Sequence, residues 1–133
     1  MWELMRPDYD RLAQLSLAAQ ELDQSEICGV VLRRAGTNRL TLRFMANESP
    51  RDCSFLISVA EIDDVESNLP PTVEIFGFFR SHPISEAVPG EADLKNAFYR
   101  GRAMIYDVCG REARVWSLED GNLEEERLLI SEN

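Results

Sequence analysis

Apolar residues at helical spacing predict two amphipathic helices, over residues 8–23 and 58–69. Asp8 follows Pro7 and can cap the first helix, while Ser58 and Glu61 have the spacing of a capping box for the second. The predicted buried faces are Leu12, Leu15, Ala19 and Leu22 in the first helix, and Val59, Ile62, Val65 and Leu69 in the second. A third helix is predicted over residues 91–99, where Gly101 stops it.

Shorter apolar runs predict seven strands, over residues 27–32, 40–46, 53–57, 72–79, 103–108, 112–118 and 123–130. The run over 27–32 is almost continuously apolar, which is typical of a strand that is covered on both faces. Turn residues over 34–38 and 119–122 predict two hairpins. Helices mixed with hairpins indicate a single α/β domain over residues 1–133, with helices packed on one mixed sheet.

Composition places this domain among soluble globular proteins, because 44% of its 133 residues are hydrophobic and 29% are charged. A net charge of -10 argues against nucleic acid or an anionic membrane as a partner. The apolar runs are too short to span a membrane, and the first residues do not resemble a signal peptide. Three cysteines without a close pair indicate reduced thiols, so we expect a cytoplasmic protein.

The strongest chemical signal follows the predicted strand 72–79, which leads into Arg80-Ser81-His82-Pro83 and contains the only histidine. Side chains alternate along a strand, so Arg80 and His82 are expected on one face and Ser81 on the other, at an edge of the sheet. Asp93 lies near the start of the predicted third helix, where the helix dipole favours an acid. An imidazole, a guanidinium and a carboxylate can therefore share one pocket.

Together with Glu26, the segments Arg80-Ser81-His82-Pro83 and Gly90-Glu91-Ala92-Asp93 resemble the JAMM motif of the MPN domain family. Zinc-dependent members of that family cut peptide or isopeptide bonds next to ubiquitin-like carboxyl termini. The resemblance implies a three-layer α/β/α fold with a mixed sheet, similar to cytidine deaminases. It also implies that Glu26 and Ser81 are the catalytic positions and that His82 and Asp93 are metal ligands.

Two positions depart from the family's pattern, in which a histidine stands at position 80 and a serine at position 90. Arg80 cannot replace the histidine as a ligand, because a guanidinium has donors only. Its charge can instead pair with Asp93 or Glu26. Gly90 lacks the side chain that in the family assists the oxyanion. We therefore expect a metal-free, catalytically impaired domain, without a cofactor, that acts in protein binding or assembly.

Two further hypotheses stay open. In one, the chain is a metal-dependent peptidase or isopeptidase acting near the carboxyl terminus of ubiquitin-like or sulfur-carrier-like proteins, and Cys28, Glu91 or a neighbouring subunit completes an altered zinc site. In the other, Arg80 binds an anionic group such as a peptide's terminal carboxylate. Each residue also has a structural interpretation: His82 as a buried structural histidine, Glu26 as a solvated residue, Cys28 as packing. The sequence is compatible with a homodimer.

Overall fold

The computed structural model describes residues 1–23, 26–48, 57–82 and 101–132. The elements of these ranges are β1 (Trp2–Met5), α1 (Arg6–Asp23), β2 (Cys28–Arg34), β3 (Arg39–Met45), α2 (Val59–Asn68), β4 (Val73–His82), β5 (Arg102–Asp107), β6 (Glu112–Glu119), β7 (Asn122–Glu126) and β8 (Leu128–Ser131). Residues 53–56 of one predicted strand, the predicted loop 84–89 and the predicted helix 91–99 lie outside the described residues.

The described strands form one mixed sheet in the order β7-β6-β5-β4-β2-β3-β1-β8. The neighbours β2–β3, β2–β4, β5–β6 and β6–β7 are antiparallel, whereas β4–β5, β1–β3 and β1–β8 are parallel. β4 lies between β2 and β5, and every residue from Ile75 to His82 is buried. The central position of β4 explains its apolar sequence, since both of its faces are covered.

The two end strands of the sheet are consecutive in the chain, with Arg127 alone between them. The sheet is therefore curled until its edges meet. Trp2 of β1 contacts the chain where β7 passes into β8. Its backbone N–H donates to the Arg127 carbonyl at 2.9 Å, and its indole N–H donates to Glu126 Oε1 at 3.1 Å. The predicted single strand over 123–130 is therefore wrong, because its residues form β7 on β6 and β8 on β1. Exposed sheet edges are reduced by this arrangement.

The two helices cover opposite faces of the sheet, each over its own apolar cluster. Leu12 of α1 belongs to the first cluster, which also contains Leu4, Val31, Leu40, Leu42, Phe76, Phe79, Met104, Tyr106, Val108 and Val115. Ile62 and Val65 of α2 belong to the second cluster, with Cys28, Val30, Ile57, Ile75 and Phe78. The predicted α/β fold, with helices on both faces of a mixed sheet, is confirmed.

A β-bulge in β4 decides which side chains face α2. The register with β2 shifts between Val31, opposite Gly77, and Leu32, opposite Ile75, so Phe76 is the extra residue. The bulge lets Ile75 and Phe78, three residues apart, both join the α2 cluster. From Phe78 onward strict alternation continues to the end of the strand. Arg80 and His82 therefore lie on the α2 side of the sheet.

The buried face of α1 differs from the prediction. The helix begins at Arg6, so Asp8 lies in its first turn and is not the cap. Tyr9, Leu12 and Ser16 point towards the sheet, whereas Leu15 is 37% exposed. Burial raises the pKa of Asp8, and the Leu42 backbone and the charge of Arg11 oppose this shift. The buried face of α1 is therefore set by its contact with the curled sheet, and the spacing of apolar residues alone did not predict it.

In α2 the predicted boundaries hold to within a residue, but two details are wrong. Ser58 is the N-cap in an extended conformation, yet its side chain makes no capping hydrogen bond. Val59 is 72% exposed, although it was predicted to be buried. Ile62 and Val65 are buried as predicted, and Leu69 packs against the same cluster.

Candidate functional site

The segment before β2 is fixed to the end of β4 by a reciprocal pair of hydrogen bonds. Ser81 donates its backbone N–H to the Ile27 carbonyl at 2.9 Å, and the Ile27 N–H donates to Ser81 Oγ at 2.9 Å. Cys28 lies directly opposite Arg80 in the β2–β4 register. Ser81 is fully buried. By accepting the Ile27 N–H, its hydroxyl oxygen helps to hold the backbone next to Glu26 in place.

Glu26 and Arg80 form a buried ion pair. Arg80 Nη2 donates to Glu26 Oε2 at 2.7 Å, and the Arg80 and Glu26 side chains are 8% and 1% exposed, respectively. The Asn47 side-chain amide donates to the Glu26 carbonyl at 3.0 Å. The interpretation of Glu26 as a solvated residue is therefore wrong, and the predicted pairing of Arg80 with an acid is confirmed for Glu26.

His82 is the last residue of β4 and is buried on the same face as Arg80. It lies opposite Asp107, the last residue of β5, and its carbonyl accepts the Val108 N–H at 3.2 Å. Asp107 Oδ1 accepts the Gly110 N–H at 2.9 Å, which fixes the turn after β5. β4 and β5 run parallel, so their carboxyl ends meet. Asp107 was not predicted as a site residue, although its place at the end of a strand was a usable signal.

This group lies at the carboxyl end of a buried strand, as predicted, but inside the strand and not after it. Arg80, Ser81 and His82 are part of β4, which has strands on both sides. The strand extends three residues beyond its predicted end because β5 and the segment at Ile27 continue to pair with it. The polar side chains are therefore buried between layers of the domain.

Cys28 packs in the α2 cluster, and its Sγ lies 3.9 Å from the Met45 carbonyl oxygen. Burial raises the pKa of the Cys28 thiol to about 12, and the negative charge of Glu26 raises it further than Arg80 lowers it. The thiol is thus neutral at physiological pH. A neutral, buried thiol supports the packing interpretation of Cys28.

We expect iodoacetamide at pH ~8 to modify exposed Cys109 and to leave Cys28 unmodified in the folded protein. Peptide mapping by mass spectrometry measures both, and labelling in denaturant is the control. Equal labelling of the two cysteines in the folded protein would contradict the assignment of Cys28 as a buried, neutral thiol.

Since folding raises the pKa of the Cys28 thiol from 9.0 to about 12, the contribution of Cys28 to stability is complete below pH 9.0 and is lost as the pH rises towards 12.

Other residues of the predicted motif, Pro83, Gly90, Glu91 and Asp93, lie outside the described residues. Across the described ranges there is no group of three or more histidine, cysteine, aspartate or glutamate side chains placed to hold a metal ion. The assignment of His82 and Asp93 as metal ligands stays a prediction.

A groove of about 460 Å³ opens between β3 and α2, on the side of the sheet that carries Arg80. Its lining residues are Arg43, Phe44, Met45, Ala46, Ala60, Glu61, Asp64 and Val65. Met45 lies opposite Cys28, which in turn lies opposite Arg80, so the groove begins two strands away from Arg80, about 10 Å across the sheet. Its lining combines apolar residues with charged residues of both signs, which suits a peptide segment.

A family model described as prokaryotic homologs of the JAB domain matches residues 9–119, a range that contains Glu26, Arg80, Ser81 and His82. The chain belongs to this family. The expected membership in the JAB/MPN group is thereby confirmed. No curated protein matches this JAB domain significantly. None of the helices in the described ranges is long and apolar enough to cross a membrane.

Solved structures agree with the fold of this JAB domain. A protein of Desulfitobacterium hafniense has a TM-score of 0.73 at 20% identity, over 100% of this chain and 94% of the other. A JAB1/MPN domain protein from Archaeoglobus fulgidus has a TM-score of 0.62 at 18% identity, over 98% and 99%. A protein from Salinibacter ruber has a TM-score of 0.65 at 18% identity, over 97% and 91%. At these identities the comparison supports the fold.

Proposed function

We propose that this JAB domain binds a protein segment on the side of the sheet that carries the Arg80–Glu26 ion pair and works without a metal ion. The observation that carries the proposal is the 2.7 Å contact between two nearly fully buried, oppositely charged side chains. In the family's pattern these two positions hold a zinc ligand and the catalytic base. In this domain they neutralise each other.

A zinc ion does not fit next to this guanidinium. Arg80 offers no lone pair, so the family's ligand at position 80 is missing. A divalent cation about 4 Å from the guanidinium would be repelled by about 8 kcal/mol at an effective dielectric constant of about 20. Apparent binding energies of structural zinc sites are about 10–16 kcal/mol, so this repulsion would cancel about half or more of the binding free energy.

The two residues that the family resemblance makes catalytic have structural tasks instead. Glu26 accepts a charge-assisted hydrogen bond from Arg80, which occupies one carboxylate oxygen. Ser81 Oγ accepts the Ile27 N–H and thereby anchors the segment that carries Glu26. These contacts support a structural role for Glu26 and Ser81, as expected of a domain that binds a partner without catalysis.

The groove between β3 and α2 is where the partner would bind. Its volume of about 460 Å³ accommodates a short peptide stretch, and Arg43 at one wall faces the acidic side chains Glu61 and Asp64 of the other. The family resemblance suggests the carboxyl terminus of a peptide or a ubiquitin-like protein as the occupant. A terminal carboxylate near Arg80, a cytoplasmic location and a homodimer stay predictions.

Thermal unfolding with and without zinc tests the metal-free part of the proposal. The wild-type domain is expected to show no shift of Tm on adding zinc, since an ion that does not bind cannot stabilise the folded state. The double variant Arg80→His with Gly90→Ser is expected to be stabilised, by about 2.7 kcal/mol when free zinc reaches ~100 times its Kd. Arg33→His is the matched control, because Arg33 also pairs with a glutamate, Glu74, away from the site.

A zinc-dependent rise of Tm in the wild-type domain that disappears in His82→Ala would contradict the proposal. It would instead support the metal-dependent peptidase or isopeptidase with an altered site. A rise of equal size in Arg33→His and in the double variant would show that the added histidine binds zinc without the site.

A further inference from the structure

The far end of the β2–β3 hairpin brings two arginines of like charge together. Arg33 pairs with Leu40 in the antiparallel register, so the next position places Arg34 directly opposite Arg39 across the turn. Alternation puts both on the α2 side of the sheet, on the same face as Leu32 and Thr41. Both side chains are exposed, and like charges directly opposite each other destabilise a strand pair.

Neither guanidinium forms an ion pair within the part of the chain that the structure describes. Their neighbour Arg33 shows the contrast, since it contacts Glu74 at 3.1 Å. Glu3 is the nearest acid by register, because it lies beside Arg39 in the β1–β3 pair, and it offsets part of one charge. The hairpin thus keeps an excess of positive charge in a protein whose net charge is -10.

These two arginines line a cavity of about 420 Å³, about 20 Å along β2 from the Arg80–Glu26 pair. The hydroxyl-bearing residues Thr41 and Thr72 also line it, together with the apolar residues Met5 and Val73. Guanidinium groups and hydroxyls are the donors that bind phosphoryl oxygens, and a cavity of this size suits a small molecule.

We propose that this cavity binds the phosphoryl group of a small organic phosphate, with Arg34 and Arg39 as the charged ligands and Thr41 and Thr72 as hydroxyl donors. The bound dianion removes the repulsion between the two guanidiniums. Met5 and Val73 contact the apolar part of the molecule. The site is distinct from the groove between β3 and α2 and does not depend on the function proposed for it.

An NMR titration of the full chain with phenyl phosphate at fixed ionic strength tests the site. Resonances of residues 34–39 and of Thr72 are expected to shift, and inorganic phosphate is expected to bind more weakly. Arg34→Gln and Arg39→Gln should each weaken the binding of phenyl phosphate about ten-fold or more. Arg43→Gln is the matched control: it removes the same charge from the same face of β3, about 13 Å from Arg39, and lines the other groove.

Loss of affinity in the Arg34 and Arg39 variants with unchanged affinity in Arg43→Gln supports the site. Equal weakening in all three variants overturns it, because general attraction by positive charge then suffices. No saturable shift in the wild-type protein also overturns it. Equal affinities for inorganic phosphate and phenyl phosphate overturn the assignment to an organic phosphate. Thermal unfolding of each variant verifies that these exposed substitutions leave the fold intact.

Discussion

Replacement of Glu26 with alanine is expected to lower the free energy of unfolding by about 3–5 kcal/mol, the cost of breaking a buried ion pair from one side. The substitution removes the acceptor that lies 2.7 Å from Arg80 Nη2, and only 8% of the arginine side chain is exposed to water. Domains of this size are stable by about 5–15 kcal/mol, so a large part of the total would be lost. Urea denaturation of the purified variant measures the change.

Two comparisons isolate the buried pair. Glu74→Ala removes the partner of Arg33, in an ion pair whose side chains are 50% and 29% exposed, and is expected to cost about 1 kcal/mol or less. The double variant Glu26→Ala with Arg80→Met removes both charges and is expected to recover much of the loss. If Glu26→Ala lowers the free energy of unfolding by no more than Glu74→Ala does, the Arg80–Glu26 pair does not stabilise the fold.

The variant Gly29→Ala is expected to cost about 3 kcal/mol, the upper end of the range for overpacking. A Cβ at Gly29 would lie within 2.6 Å of Phe79 Cε1 and still closer to the Arg43 carbonyl oxygen. The clash lies between the central strands β2, β3 and β4, where backbone cannot move without disturbing the register that brings Cys28 opposite Arg80. Chemical denaturation and amide exchange of β2 report the effect.

Gly36→Ala serves as the control for this prediction. Gly36 has a φ of 77°, and a Cβ added there would meet no atom within 4 Å, so the only penalty is the left-handed backbone, about 1 kcal/mol. Equal costs for the two substitutions would mean that the strands at Gly29 separate easily, which would contradict the tight central packing.

Local sequence was sufficient to predict the strongly patterned elements. The apolar run of β2, the turn after it and β3 were predicted to within two residues, and Asp120 and Gly121 form the predicted tight turn with positive φ values of 51° and 79°. β1 was missed because its four residues are too short to carry a period. Its partners are β3 and β8, so distant parts of the chain create it.

The candidate site was predicted in part. Because Arg80, Ser81 and His82 are consecutive residues of a strand, local geometry predicts that their side chains alternate between its two faces. The burial of Glu26 cannot be predicted from local sequence, because its ion pair joins residues 54 positions apart. Ser81 was expected to be catalytic, yet its hydroxyl bond to Ile27 depends on the β2–β4 register, which the sequence does not display. Exposure of Leu15 and Val59 likewise depends on how the helices lie over the sheet.

Elemental analysis of the untagged, purified domain for transition metals is the most direct test of the central claim that an arginine–glutamate pair takes the place of the family's zinc. Protein prepared with zinc in the growth medium and dialysed without chelator should contain far less than one zinc per chain, and Arg80→His with Gly90→Ser should contain more. About one zinc per wild-type chain, retained through dialysis and lost in His82→Ala, would contradict the account.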